Sequence, residues 1–159
     1  MLNDRCYPPD SGSTCSWASH MTDETNRQYA YFAIYGDFEP EEITSLAGTN
    51  PSEAWRKGDI HPRRRHERKQ SHWSLRSRLP EVAELEQHIL DVLAQMEVNA
   101  EAFQDISSRF GGCMQLVGYF HDVYPGLHFE KQLIEGLARF GLAMDFDFYA
   151  LWSDARDAT

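Results

Sequence analysis

The sequence predicts an α+β domain: a mainly antiparallel five-stranded sheet with helices packed on one face, in the order β-α-β-β-α-α-β-α-β. Three observations predict it. Five short segments alternate apolar and polar residues with period two, the pattern of half-buried strands. Four others repeat apolar residues three and four apart, the pattern of amphipathic helices. Gly, Pro and an Asn-Pro pair punctuate the junctions between them.

Tyr29 to Tyr35 sets Ala30, Phe32 and Ile34 on one side and Tyr29, Tyr31, Ala33 and Tyr35 on the other, a strand that Gly36-Asp37 ends. Pro40 then fits the first turn of a helix over 40–47. Its acids Glu41 and Glu42 sit at the positive dipole end, Ile43 and Leu46 face inward, and Gly48 caps the exit. Asn50-Pro51 breaks the chain, Glu53 to Lys57 resumes as a short strand around Trp55, and Gly58-Asp59 turns it into a charged loop. Ser71 to Arg78 is the next strand, with Trp73 and Leu75 facing one way and His72, Ser74 and Arg76 the other.

From Glu81 the period becomes helical, through Val82, Leu85, Ile89, Val92, Leu93 and Met96, with Pro80 at the entrance. Asn99 caps a second helix carrying Ala102, Phe103 and Ile106, which Gly111-Gly112 stops. Cys113 to Phe120 is a strand with Met114, Leu116 and Phe120 opposite Gln115, Val117 and Tyr119. After the Pro125-Gly126 turn, a helix from about Glu130 to Phe140 uses Leu133, Ile134 and Leu137 and ends at Gly141. The final strand, Ala143 to Leu151, sets Met144, Phe146 and Phe148 against Asp145, Asp147 and Tyr149. Residues 29–58 and 113–151 share one pattern of strand, turn, short Gly-ended helix and strand, a pseudo-repeat of pattern alone.

A length of 159 residues with 42% hydrophobic content suits one domain around one core, here 28–152. Residues 1–27 read as a disordered extension, with Met21 a candidate true start, and 153–159 as a tail. The formal charge of −10 divides into −6 over residues 1–60, +4 over 61–69 and −8 over 70–159, so an acidic body carries one basic loop. Such a body repels phosphate backbones at long range, which argues against nucleic acid and points to solubility or a basic protein partner. Three cysteines, Cys6, Cys15 and Cys113, make no even framework, and the chain reads as cytoplasmic. No apolar run approaches the ~20 residues of a membrane span, and neither insertion nor standard export is expected.

The run from Tyr31 to Thr44, the Asn50-Pro51 break, Trp55-Arg-Lys-Gly-Asp and Ser71-His-Trp-Ser-Leu resemble a bacterial family catalogued as domain of unknown function 4279. The close, Gly141-Leu-Ala-Met-Asp-Phe-Asp-Phe-Tyr, is similar to that family's ending. The resemblance spans about 28–151 and implies no activity, substrate or catalytic residue. Small acidic domains of this sort also resemble immunity proteins of toxin loci, but no residue here matches such a role.

The basic run His61-Pro-Arg-Arg-Arg-His-Glu-Arg-Lys69 carries the sharpest local chemistry, since clustered Arg63, Arg64 and Arg65 can hold a phosphate through paired N–H donors. The competing reading is a solvated hairpin loop. His61, His66 and His72 lie close enough in sequence to converge on a metal, but five Lys and Arg side chains oppose a cation there, and no metal or cofactor is expected. A site at Cys6, Cys15 and His20 lacks a fourth ligand at tight spacing. Asp145 and Asp147 could serve as paired carboxylates, although the polar parity of a strand explains them equally. Cys113 reads as an inert thiol. No nucleophile elbow, phosphate-cradling Gly loop or dinucleotide fingerprint is present.

Strand alternation gathers Tyr31, Tyr35, Arg76, Gln115, Tyr119, Asp145, Asp147 and Tyr149 on the sheet face opposite the helices. Four Tyr with an Arg is a docking composition, whereas a merely wet face carries Lys, Glu and Thr. Tyr31, Arg76 and Tyr119 are the expected centre, with Asp145 and Asp147 favouring a positive group. The sequence therefore points to an interaction module, immunity-like, that masks a basic partner. The alternative is a small-ligand receptor or enzyme on the same face. A concave pocket holding ionisable groups of shifted pKa would favour the alternative.

Overall fold

The computed structural model describes residues 25–151, in which β1 (Arg27–Gly36), α1 (Pro40–Ala47), β2 (Glu53–Trp55), β3 (Ser71–Arg76), α2 (Leu85–Glu97), α3 (Ala100–Phe110), β4 (Cys113–Phe120), α4 (Lys131–Arg139) and β5 (Ala143–Ala150) follow in the expected order. The five strands form one sheet in the order β2-β3-β1-β4-β5. β1 pairs antiparallel with β3 and β4, β2 pairs antiparallel with β3, and β5 pairs parallel with β4. The sheet is thus mixed but mostly antiparallel. The proposed extension, the Met21 start and the Cys6, Cys15 and His20 group lie outside the described residues, as does the tail.

All four helices cover one face. Ala30, Phe32 and Ile34 of β1, Trp73 and Leu75 of β3, and Met114 and Leu116 of β4 share one parity and pack in a single buried cluster with Ile43, Ile89, Val92, Met96, Phe103 and Leu133 from the helices. Phe32, Trp73 and Phe103 meet edge-on or tilted, with ring centroids 5.6–6.2 Å apart, the arrangement that aligns positive ring edges with negative faces. The Trp73 indole N–H would be costly to bury unpaired, and it donates to Thr44 Oγ1 at 3.0 Å.

Several details depart from the periodicity. The longest helix begins at Leu85 rather than Glu81. The Glu81 carbonyl is claimed by Gln28 N–H at 2.7 Å and its carboxylate by Arg76, so residues 80–83 form a turn and Val82 is exposed. Leu46 and Ile134 are exposed because α1 and α4 touch the core through narrow stripes, Pro40, Ile43 and Ala47 in one and Leu133 and Leu137 in the other. Phe146 has the core parity, but β5 is the sheet's edge, and it stays 43% exposed. Asn99 stands at the N-cap of α3 without a side-chain capping bond. Its amide instead donates to the Leu46 and Ala47 carbonyls, closing the end of α1.

The connection between β2 and β3 is an ordered hairpin. Ile60 bridges Glu67, Gly58 N–H donates to the Arg68 carbonyl at 2.8 Å, and Arg68 N–H returns to Asp59. At its tip the His61 Nδ1 accepts the backbone N–H groups of Arg63 and Arg64, both at 3.2 Å, and Arg65 takes a left-handed conformation at φ 55°. Its base is clamped to the end of β1 and the start of α1 by Arg56 with Glu39 and Glu41, each at 2.7 Å, and by Lys57 with Asp37. Each exposed pair is individually weak, but together they set the direction in which the hairpin leaves the sheet.

Candidate functional site

The face opposite the helices is a polar and aromatic floor, and residues 61–70 of the hairpin border it. Together they enclose a cavity of about 770 Å³. Register builds the floor: Trp55 lies opposite His72 across β2 and β3, His72 opposite Tyr35 across β3 and β1, and Tyr31 opposite Gln115 across β1 and β4. Because facing residues in a sheet stand only about 5 Å apart, these rings are forced into contact. The Trp55 and His72 rings stack with centroids 4.1 Å apart, and the Tyr35 ring lies 4.6 Å from that of His72. The Arg68 guanidinium sits 3.8 Å above the Trp55 ring. Trp55 has one face against His72, so Arg68 must occupy the opposite one, and the layers run Arg68, Trp55, His72, Tyr35. The indole N–H of Trp55 is anchored on the Gln70 carbonyl at 3.1 Å.

His72 is 2% exposed and its Nδ1 has no hydrogen-bond partner among the described residues. Burial, reinforced by the positive charge of Arg68, lowers its pKa to about 4, so the ring is neutral at pH 7. Across the floor, β5 presents Asp145 and Asp147. The amide of Gln115, buried on β4, donates to Asp145 Oδ2 at 3.2 Å and to Asp147 Oδ2 at 2.8 Å. Tyr119 and Tyr149, paired in register, stack at 5.1 Å. Cys113 lines the same cavity, and burial, then the Asp145 charge, pushes its thiol up to about 11.

Seven of the eight residues expected on this face line the cavity, namely Tyr31, Tyr35, Gln115, Tyr119, Asp145, Asp147 and Tyr149. Arg76 is not among the lining residues. Its guanidinium lies over the Tyr29 ring at 3.7 Å and pairs with Glu81 at 2.6 Å, so it braces the floor from the end of β3. Arg63 and Arg64 line the cavity, and Arg65, turned by its positive φ, does not. The eight residues expected on the face did not include Trp55, His72, Arg68 or Tyr29, although His72 was weighed as a metal ligand and Arg68 belongs to the basic run. Their signal was the parity of Trp55 and His72, which acquires meaning only with the register of β2 on β3. The group His61, His66 and His72 does not converge: His61 stacks on His66 at 5.4 Å in the hairpin, while His72 is enclosed in the ring ladder. Among the described residues no group of three or more His, Cys, Asp or Glu is placed to hold a metal ion.

A family model described as domain of unknown function matches residues 24–151, a span that contains every described residue. The chain belongs to the DUF4279 family. No curated protein and no solved structure matches it. Every described residue lining the cavity therefore falls inside the DUF4279 segment, the hairpin included. No helix among the described residues of this DUF4279 domain is long and apolar enough to cross a membrane.

Proposed function

We propose that this DUF4279 domain is a small-ligand-binding module that takes an organic anion with a planar body into the cavity between the open sheet face and the 61–70 hairpin. The observation that carries this reading is the meeting of the basic hairpin with the aromatic floor around one cavity. Its volume of about 770 Å³ falls in the range of small-molecule sites, and its walls combine flat apolar surface with a few polar groups. Arg63 and Arg64 supply forked N–H donors suited to phosphate or carboxylate, and the exposed faces of the tyrosines supply stacking surface. Binding fits this chemistry better than catalysis, because the shifted groups that line the cavity, His72 at about 4 and Cys113 at about 11, are both held far from neutral.

Calorimetric titration of phenyl phosphate into the full chain tests it. Saturable binding, weakened at least tenfold in an Arg63→Gln/Arg64→Gln variant, is the expected result, and absence of binding by both phenyl phosphate and benzoate refutes it. A second reading keeps the domain as an immunity-like interaction module masking a basic protein partner in the bacterial cytoplasm. It is favoured by the net charge of −10 and by the exposed edge strand β5 bearing Phe146. A toxin gene adjacent to this one would support that reading, and a metabolic operon would undercut it.

A further inference from the structure

Resting on the ligand-binding reading, we infer that Arg68, laid against Trp55, is the inner anchor of the cavity and that the anion it receives is a phosphate monoester. Two arginines among the described residues are half-buried, Arg68 and Arg76. Arg76 meets Glu81 at 2.6 Å, and even the exposed Arg56, Arg78 and Arg139 each hold a carboxylate at 2.6–2.7 Å. Arg68 forms no ion pair with any described residue, although Glu53, two residues from Trp55 on β2, lines the same cavity. A guanidinium drawn part-way out of water without a counter-charge carries an uncompensated desolvation cost, which a bound anion relieves.

The hairpin and the indole together fix where that charge sits. The backbone of Arg68 is held by Gly58 and Asp59, and Trp55 is tied by its N–H to the Gln70 carbonyl, two residues further along the hairpin. The guanidinium carbon lies 3.8 Å from the Trp55 ring centroid, the separation of two flat groups lying face to face. Its N–H donors lie in the guanidinium plane, so stacking occupies the face of the group and leaves its rim for an acceptor in the cavity that Arg68 lines. Arg68 is also the outermost layer of the ring ladder, and its charge still reaches inward to hold His72 neutral. A charge already neutralised by a carboxylate would act on that ring far less.

The composition of the same wall selects phosphate over carboxylate. Arg63 and Lys69 line the cavity with Arg68, and neither forms an ion pair with a described residue. One arginine fork engages two oxygens, which exhausts a carboxylate, whereas a phosphate monoester has three terminal oxygens and a charge of roughly −2 at neutral pH. Such a group can accept the Arg68 fork and still offer an oxygen to Arg63 or Lys69.

Calorimetric titrations of the full chain at about pH 7.5 with phenyl phosphate, benzenesulfonate and benzoate test the inference. Benzenesulfonate offers the same ring and the same number of terminal oxygens with one charge fewer. Phenyl phosphate should bind on the order of tenfold tighter than benzenesulfonate. Arg68→Gln should weaken phenyl phosphate by about tenfold or more and erase that preference, with its thermal midpoint within a few degrees of the unaltered chain. Arg68→Lys keeps the charge but neither forks nor lies flat on Trp55, and it should also weaken phenyl phosphate several-fold; it carries the test if the Gln variant fails to fold. Phosphate binding no tighter than that of benzenesulfonate or benzoate, or undiminished in either folded variant, overturns the inference and leaves the anion reading standing. Failure of all three probes to bind overturns both.

Discussion

Replacing His72 by Gln should flatten the acid limb of the stability curve. The imidazole is enclosed by Trp55 and Tyr35, with Arg68 beyond, and burial followed by the Arg68 charge brings its pKa from 6.5 to about 4, against a weak opposing pull from the Ile34 backbone. The folded state therefore resists protonation and the unfolded chain accepts it. Between those two values the unfolded state binds more protons, so stability is complete above about pH 6.5 and is lost as pH falls toward 4. At about 1.4 kcal/mol per pH unit the loss is capped near 3 kcal/mol and reaches about 2 kcal/mol at about pH 5. Urea unfolding of wild type and His72→Gln at about pH 7.5 and about pH 5 isolates it, because every other titrating group, including the buried His88, is common to both proteins. Wild type should lose about 2 kcal/mol more than the variant on acidification. Parallel losses would mean that His72 is protonated as readily in the fold as outside it, and the ring ladder would then not exclude water as described.

Changing Arg63, Arg64 and Arg65 together to Ser should move the thermal midpoint by no more than a few degrees, since all three are exposed at the hairpin tip; a large drop would show that they brace the acidic body. Gly118→Val should cost about 2–3 kcal/mol by denaturant unfolding, because the Phe120 ring folds back to within 2.4 Å of where a Cβ would stand. Unchanged stability there would mean that Phe120 can swing clear of its buried place. In a chain lacking Cys6 and Cys15, alkylation of Cys113 by iodoacetamide should stay slow up to about pH 9, and Asp145→Asn should speed it by removing a charge that holds the thiol protonated. Fast labelling near neutral pH would refute both the burial and the influence of the Asp145 charge.

The fold was legible because its signals are local. Period-two alternation in Cys113 to Phe120 and period-3.6 spacing from Leu85 to Met96 depend only on one segment facing one core. Glu81 shows the limit: its place in a turn is decided by Gln28, more than fifty residues away, which takes its carbonyl. The site was half legible for the same reason. Parity alone put Tyr31, Gln115 and Asp145 on one face, but no parity says that Trp55 faces His72, or that Arg76 is occupied by Glu81 and Tyr29. Those are facts of register and of tertiary charge pairing. The hairpin was recognisable by its charge but not by its internal pairing, since the pairing of Gly58 with Arg68 and the role of His61 in the turn leave no periodic trace.

The pseudo-repeat seen in the sequence explains why a face was left for that hairpin to cover. β1 and β2 are each antiparallel to β3, so they run parallel to one another, and α1 connects them across the sheet over one intervening strand. β4 and β5 are parallel neighbours connected by α4. The first unit steps toward one edge of the sheet and the second toward the other, and because β4 is antiparallel to β1 the two units also run in opposite directions. A half-turn about the sheet normal exchanges both properties at once without exchanging the faces. Crossovers of one hand, the rule for parallel units, must therefore lay α1 and α4 on the same face. With α2 and α3 spanning that face between β3 and β4, no helix among the described residues is left for the other. Among the described residues the long connection that could cover it is 56–70, which pairs with itself and so reaches over only part of the floor. What remains between hairpin and sheet is a space that the topology creates and the side chains do not fill, bordered by arginines at one end and carboxylates at the other.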